Sequence, residues 1–257
     1  MRNLIYSLYE RRLSSKVAGR DVRNDLPKHV AVMLDGNRRW AKSRMLTTAA
    51  EGHAAGAQKT FEFLGWCDSL GIQVVTLYLL STENVKNRDS AELADLLEII
   101  GGLATDLAAT GRWKVRAMGV RKLLPEQLLS QLDAAEAATA NVPGTQVNLA
   151  VGYGGRNEIT DAVREILIDG ASSGKSLTEV AKELSPELIG QHLYTGGMPD
   201  PDLIIRTSGE QRLSGFLLWQ SASSELYFEE ALWPDFRKVD FLRALRAFEN
   251  RHRRFGA

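Results

Sequence analysis

One cysteine, Cys67, stands in a chain of 257 residues. A single thiol excludes an internal disulfide framework and a four-cysteine zinc site, and it fits a reducing, cytoplasmic setting. No charge of one sign prevails. Lys plus Arg and Asp plus Glu number 32 each, so the basic excess of a general nucleic-acid binder is missing and no nucleic-acid partner is expected. No apolar run approaches the ~20 residues of a membrane span, and no secretory signal opens the chain. Membrane contact is expected to be peripheral at most, through the amphipathic Leu4–Leu13. Internal repeats and low-complexity linkers are also absent.

The composition is that of an ordinary soluble globular protein, with 44% hydrophobic and 25% charged residues. Residues 1–25 read as an N-terminal amphipathic helix or arm, and residues 26–257 as a single domain. Runs at His29–Leu34, Gln73–Leu80, Lys114–Met118, Val147–Val151, Leu203–Arg206 and Glu225–Phe228 predict strands, most of them short and largely apolar, as expected where both faces are buried. They alternate with helical patterns at Glu51–Leu70, Ser90–Ala109, Pro125–Ala140, Arg156–Asp169, Pro186–Leu193 and Val239–Arg253. Such alternation predicts an α/β domain with a mostly parallel six-stranded sheet flanked by helices. Gly170–Gly174 reads as a surface connection between two helical segments. Its Gly-Ala-Ser-Ser-Gly-Lys-Ser sequence is one residue short of a nucleotide phosphate loop and follows a helix, so that reading is rejected.

In such folds ligands bind beyond the carboxyl ends of the strands. Asp35, Ser81-Thr-Glu-Asn84, Gly152–Arg156 and Arg206–Glu210 each follow an expected strand. Asp35-Gly-Asn-Arg-Arg39 combines a carboxylate, a turning glycine and two arginines at a helix start, a pattern suited to phosphate. Asp35 itself repels an anion unless a Mg²⁺ ion bridges the two; the plainer alternative is a helix cap. Arg206-Thr-Ser-Gly-Glu-Gln-Arg212-Leu-Ser214 reads equally as a second phosphate loop or as an Arg–Glu salt-bridged loop. Glu225 is a further carboxylate for a metal shell, or a solvated strand start.

Taken in order, His29–Ala41, Glu51–Gly56, Leu77–Asn84, Asn148–Arg156, Asp202–Glu225 and Trp233–Phe236 resemble the cis-prenyltransferases, the undecaprenyl diphosphate synthase family, and the resemblance runs from Leu26 to Gly256. The Asp-Asp-x-x-Asp signature of the trans-type enzymes is absent. Leu8–Leu13 and Leu77–Asn84 look most like the short-chain members that make (2Z,6E)-farnesyl diphosphate. The resemblance implies condensation of isopentenyl diphosphate with an allylic diphosphate to a Z-prenyl diphosphate, in a hydrophobic tunnel between sheet and helices. It implies that Gly36, Asn37, Arg38 and Arg39 cradle the allylic diphosphate, and that Asp35 and Glu225 ligate the same Mg²⁺, with Glu225 supplied by the same chain or by the partner subunit of a homodimer. Arg206, Arg212 and Ser214 would grip isopentenyl diphosphate. Trp40 would face the allylic unit or sit in the core. Ser81, Thr82, Glu83 and Arg88 would join the substrate contacts, with Asn84 as proton acceptor or as an orienting group. His53 would act as a relay near the phosphates, since histidine titrates near neutrality.

Some positions depart from the long-chain bacterial pattern. Arg38 stands for a Gly, Ala49 for a phosphate-contacting Arg, Val85 for a Trp and Gln211 for a His. One extra residue before Glu92 leaves Asn87 or Arg88 to fill the family's arginine position, and chemistry favours Arg88. Leu79 replaces a small residue and is expected to limit chain length; Leu93, Leu96, Leu97, Ile100, Leu103 and Leu107 would form the facing wall, ordinary core at helical spacing, or both. The alternatives are a long-chain synthase for cell-wall carrier lipid and a non-catalytic partner subunit. The tail Arg254-Phe-Gly256 resembles a motif that reaches across the dimer.

Overall fold

The structure is a computed structural model that describes residues 26–255, with side chains through Asn250. Six strands form one sheet: β1 (His29–Met33), β2 (Val74–Ser81), β3 (Lys114–Met118), β4 (Gln146–Tyr153), β5 (Leu203–Arg206) and β6 (Glu225–Phe228). The order is β3-β4-β2-β1-β5-β6 and every pairing is parallel. All six expected strands are present; β3, β5 and β6 have the expected bounds, and the ends of β1, β2 and β4 shift by one or two residues. The chain moves from β1 to β2 on one side, then returns after β4 to place β5 on the other side of β1. That reversal opens a crevice beyond the carboxyl ends of β1 and β5, the usual ligand position in an open α/β sheet.

Every residue of β1 is buried. Val30 and Val32 enter the larger core, whereas Ala31 and Met33 enter a smaller one on the opposite face, as the two-residue period of a strand requires. The larger core is supplied by α2 (Ala49–Leu70), α4 (Ser90–Ala109), α5 (Glu126–Thr139) and α9 (Lys238–Phe255). Between and after these lie α1 (Asn37–Ser43), α3 (Thr82–Asn87), α6 (Gly155–Ser172), α7 (Leu177–Glu183) and α8 (Pro186–His192). Cys67 is fully buried in the larger core, and burial pushes its thiol pKa well up. The outer edge of β3 is covered. The Val115 N–H donates to Thr139 Oγ1 at 2.9 Å and the Ala117 N–H donates to Glu136, both on α5, which blunts an otherwise exposed template.

Helix ends explain where the observed elements depart from expectation. Thr48 and Glu51 form a capping box, so α2 starts at Ala49 rather than Glu51, the third residue inside the helix. α3 and α7 are only 6 and 7 residues long, too short to show helical periodicity, and each is started by a serine cap, Ser81 or Ser176. The Gly170–Gly174 connection is corrected. Gly170 lies inside α6, buried against Val180 of α7, so only the residues from Ser173 to Ser176 connect the two helices. Among the described residues no helix is long and apolar enough to cross a membrane. The expected arm at 1–25 and Gly256 of the C-terminal tail lie outside the described residues.

α1 is short but firmly seated, because α2 presents glycine to it. A Cβ on Gly52 would lie 2.2 Å from the Asn37 carbonyl oxygen, and one on Gly56 would lie 2.3 Å from Asn37 Oδ1. Gly65, on the same helix, has nothing within 4 Å. In a helix, alanine is favoured over glycine by about 1 kcal/mol, while overpacking costs about 1–3 kcal/mol. Gly65→Ala should therefore raise stability and Gly52→Ala should lower it. Urea denaturation of the two variants checks the opposite signs; a stabilised Gly52→Ala would contradict the packing.

Candidate active site

A cavity of about 620 Å³ opens beyond β1, β2 and β5. Asp35, Gly36, Asn37, Arg38, Arg39, His53, Leu79, Ser81, Glu83, Asn84, Arg88, Arg206, Arg212 and Ser214 all line it. Three expected residues do not. Trp40 stays outside the lining; its indole Nε1 is buried without a partner and the Arg44 guanidinium sits 5.6 Å from its ring centre. Thr82 is buried against Gly154 behind the lining. Glu225 begins β6 opposite Leu203, whereas Asp35 lies past the other end of the strands, beyond the Met33–Arg206–Phe228 register. At ~3.3 Å of rise per residue, the two carboxylates of this chain are well over 10 Å apart and do not meet on one ion.

The centre of the cavity is an ion pair between strand ends. Arg206 Nη2 donates to Asp35 Oδ2 at 2.8 Å, and Arg206 Nη1 donates to Ser214 Oγ at 3.0 Å and to the Arg212 carbonyl. Arg206 is only 5% exposed and its Nε is buried without a partner. Burial raises the Asp35 pKa, but the hydrogen bond and charge of Arg206, with Ser208 and Arg39, outweigh it and hold the carboxyl below its ordinary value. Thr207 ties the same strand ends together. Its Oγ1 accepts from the Asp35 N–H at 3.0 Å and lies 2.8 Å from the Asp35 carbonyl. Arg39 Nη2 donates to Ser208 Oγ at 2.6 Å. Ser208 and Ser214 both take positive φ, 81° and 47°, a strained backbone that persists only where its surroundings over-determine it. Here Ser208 and Gly209 donate to the carbonyls of Ala231 and Glu229 at 2.8 and 2.9 Å.

Gly152–Arg156 supports this loop rather than lining the cavity; the Gly155 N–H donates to the Gly215 carbonyl at 2.8 Å. Behind it Glu158 is fully buried, accepting from Tyr153, from Gln220 at 3.0 Å and from the Tyr194 N–H at 2.9 Å. Burial raises its pKa, against the lowering effect of those bonds.

A second polar cluster sits on the α2 and α4 side. Arg88 Nη1 donates to Glu92 Oε1 and lies 3.1 Å from His53 Nε2; Arg38 Nη1 is 3.6 Å from Glu92 Oε2. Arg88, and not the exposed Asn87, is thus the arginine that reaches the cavity. Burial lowers the His53 pKa first, Arg88 lowers it further, and Glu92 offsets part of this, leaving it at about 4. The neutral ring therefore accepts from Arg88 through Nε2.

The deeper wall is apolar, formed by Leu79, Leu96, Ile99, Ile100 and Leu103. The expected Leu93, Leu97 and Leu107 pack into the larger core instead. Sequence reasoning missed Tyr78, which lines the cavity and stacks on Phe216 with ring centres 4.5 Å apart. It read Thr207 and Ser208 only as hydroxyls of a possible phosphate loop, and it used Glu92 only to count spacing. The i,i+4 relation of Arg88 and Glu92 was a readable signal; the stacking of Tyr78 on a residue 138 positions away was not (216 − 78).

The family model described as undecaprenyl diphosphate synthase matches residues 33–256. The chain is 54% identical over 252 residues to a (2Z,6E)-farnesyl diphosphate synthase of Thermobifida fusca, covering 98% of this chain and 97% of that one. It is 55% identical over 256 residues to isoprenyl transferase 1 of Streptomyces avermitilis, covering 100% and 97%. A crystal structure of lavandulyl diphosphate synthase from Lavandula x intermedia, in complex with dimethylallyl diphosphate, matches with a TM-score of 0.80 at 35% identity, covering 88% of this chain and 96% of that one. These matches take in all of the cavity-forming loops, and the chain belongs to the undecaprenyl diphosphate synthase family of prenyltransferases.

Proposed function

We propose that the protein is a cytoplasmic, Mg²⁺-dependent cis-prenyltransferase that condenses isopentenyl diphosphate with geranyl diphosphate to (2Z,6E)-farnesyl diphosphate. The observation that carries this reading is one cavity with two kinds of wall. Arg38, Arg39, Arg88, Arg206 and Arg212 line its polar part against only Asp35, Glu83 and Glu210, and leucines and isoleucines line the rest. An excess of guanidinium groups suits diphosphates, and the apolar wall suits a prenyl chain. Short-chain products agree with the names of relatives, among them a short-chain Z-isoprenyl diphosphate synthase of Mycobacterium bovis at 51% identity.

In this reading Arg38, Arg39 and Arg88 take the allylic diphosphate and Arg206, Arg212 and Ser214 take isopentenyl diphosphate. Negative charge grows on the leaving diphosphate as its bond to C1 breaks. Fixed guanidinium donors stabilise that charge most at the transition state. The double bond of isopentenyl diphosphate then attacks C1, and the C2 proton of that unit passes to the released diphosphate or to a water, leaving the new double bond. Asn84, a neutral amide at the cavity wall, orients the diphosphate or a water rather than acting as a strong base. Neutral His53 fixes Arg88.

Among the described residues no cluster of three or more metal-ligating side chains exists. A lone ionised Asp35 still fits Mg²⁺, which is typically held by one or two carboxylates with the remaining oxygens from phosphates and water. When bound, the ion would supply charge neutralisation at the leaving group. The chain acts as a homodimer in this reading, and Glu225 joins a metal site only if it is brought there by the partner subunit.

The deciding experiment incubates the protein with isopentenyl diphosphate, Mg²⁺ and C5, C10 or C15 allylic primers, and identifies products by chromatography. The reading expects a C15 Z product from the C10 primer; no product from any primer would overturn it. Asp35→Asn should lower turnover by about 10²–10³ and also lower the melting temperature, because the amide oxygen still accepts from Arg206 but no longer compensates its buried charge. Leu79→Ala opens the apolar wall and should lengthen the radiolabelled products beyond C15. Unchanged product length would refute the role of Leu79.

A further inference from the structure

Glu92 does not line the cavity, yet it touches groups that do. Its Oε1 accepts from Arg88 and is 3.6 Å from His53 Nε2, and its Oε2 is 3.6 Å from Arg38. One carboxylate thus bridges two guanidiniums that both face the cavity. The Arg88 side chain is 9% exposed, so water screens it little. Left with neutral His53 alone it would be a poorly compensated buried charge.

We propose that Glu92 is an internal placeholder for the diphosphate. It holds Arg38 and Arg88 in position while no anion is bound, and it competes with the anion for them once one arrives. The proposal rests on the reading of the cavity as a diphosphate site. A carboxylate presents two oxygens to two guanidiniums as a phosphate group does, so Glu92 keeps the pair spread in a geometry that an incoming phosphate can adopt. With the anion seated, two negative groups share the same donors and repel each other.

Orientation and repulsion act on affinity with opposite sign, and the surroundings decide between them. Arg88 is fixed by burial and by His53 Nε2 as well as by Glu92. Its orientation therefore survives loss of the Glu92 charge, and repulsion is the larger effect of that charge. Glu92 is a positioning residue whose cost in affinity speeds departure of the diphosphate after each turnover.

The test is isothermal titration of inorganic diphosphate into the full-length protein and into Glu92→Gln, which keeps an acceptor oxygen but removes the charge. Glu126→Gln, an exposed position at the start of α5, controls for net charge. Removing a like charge a few ångströms from the anion should lower Kd by about tenfold, and the KM for the allylic diphosphate should fall without a rise in kcat. Glu126→Gln should match the unaltered chain. Glu92→Asp keeps the charge but draws it back from Arg38, and should bind diphosphate with an intermediate Kd. A Kd that is unchanged or higher in Glu92→Gln, or higher in Glu92→Asp, overturns the placeholder. Absence of binding to the unaltered chain overturns the diphosphate reading and the placeholder with it.

Discussion

The Asp35–Arg206 ion pair is the constraint on which the rest of the cavity depends. It joins the ends of β1 and β5 at the point where the sheet changes direction, 171 residues apart in sequence. A guanidinium buried this deeply carries a desolvation cost that only a full set of partners offsets. Asp35, Ser214 and the Arg212 carbonyl supply most of that set. The pair therefore fixes two loops at once, the one after β1 and the one from Arg206 to Ser214. The positive-φ serines of the second loop are tolerable because this anchoring leaves the backbone no cheaper route.

The same logic recurs around the cavity. Each arginine that faces it rests on an internal carboxylate: Arg206 and Arg39 on Asp35, Arg88 and Arg38 on Glu92, and Arg212 on Glu210. The groups that would receive an anion are thus held in place without one. His53 completes the second cluster as a neutral acceptor, since protonation would set a cation beside two guanidiniums in a poorly solvated position. Chemistry that needs strong fixed positive charge beside an apolar wall is served by this arrangement, because the donors need little reorganisation when charge develops.

Much of this was legible from the chain alone, because the fold obeys short-range rules. Short, largely apolar runs marked all six strands, although the edge strands β3 and β6 are only partly buried, and polar residues after β1, β2 and β5 marked the loops that meet at the cavity. Asp35, Arg38, Arg39, Arg206, Arg212 and Ser214 were found in this way. What escaped notice depended on distances that sequence does not record. α3 and α7 were too brief to show a period. Trp40 and Thr82 lie next to cavity residues in sequence but turn away from the cavity, and Glu225 is separated from Asp35 by the length of the strands. Glu92 contributes through Arg88 and Arg38 rather than by facing the cavity itself, so a search for cavity-facing residue types passes over it.

The central claim is that one cavity holds two diphosphates on either side of Asp35. It is tested most directly by a crystal structure of the protein with Mn²⁺, isopentenyl diphosphate and an unreactive thiolo analogue of the allylic diphosphate. The account predicts an anomalous Mn²⁺ peak against Asp35, one diphosphate between Arg38, Arg39 and Arg88, and the other against Arg206, Arg212 and Ser214. A metal peak away from Asp35, or either diphosphate outside the cavity, would contradict it.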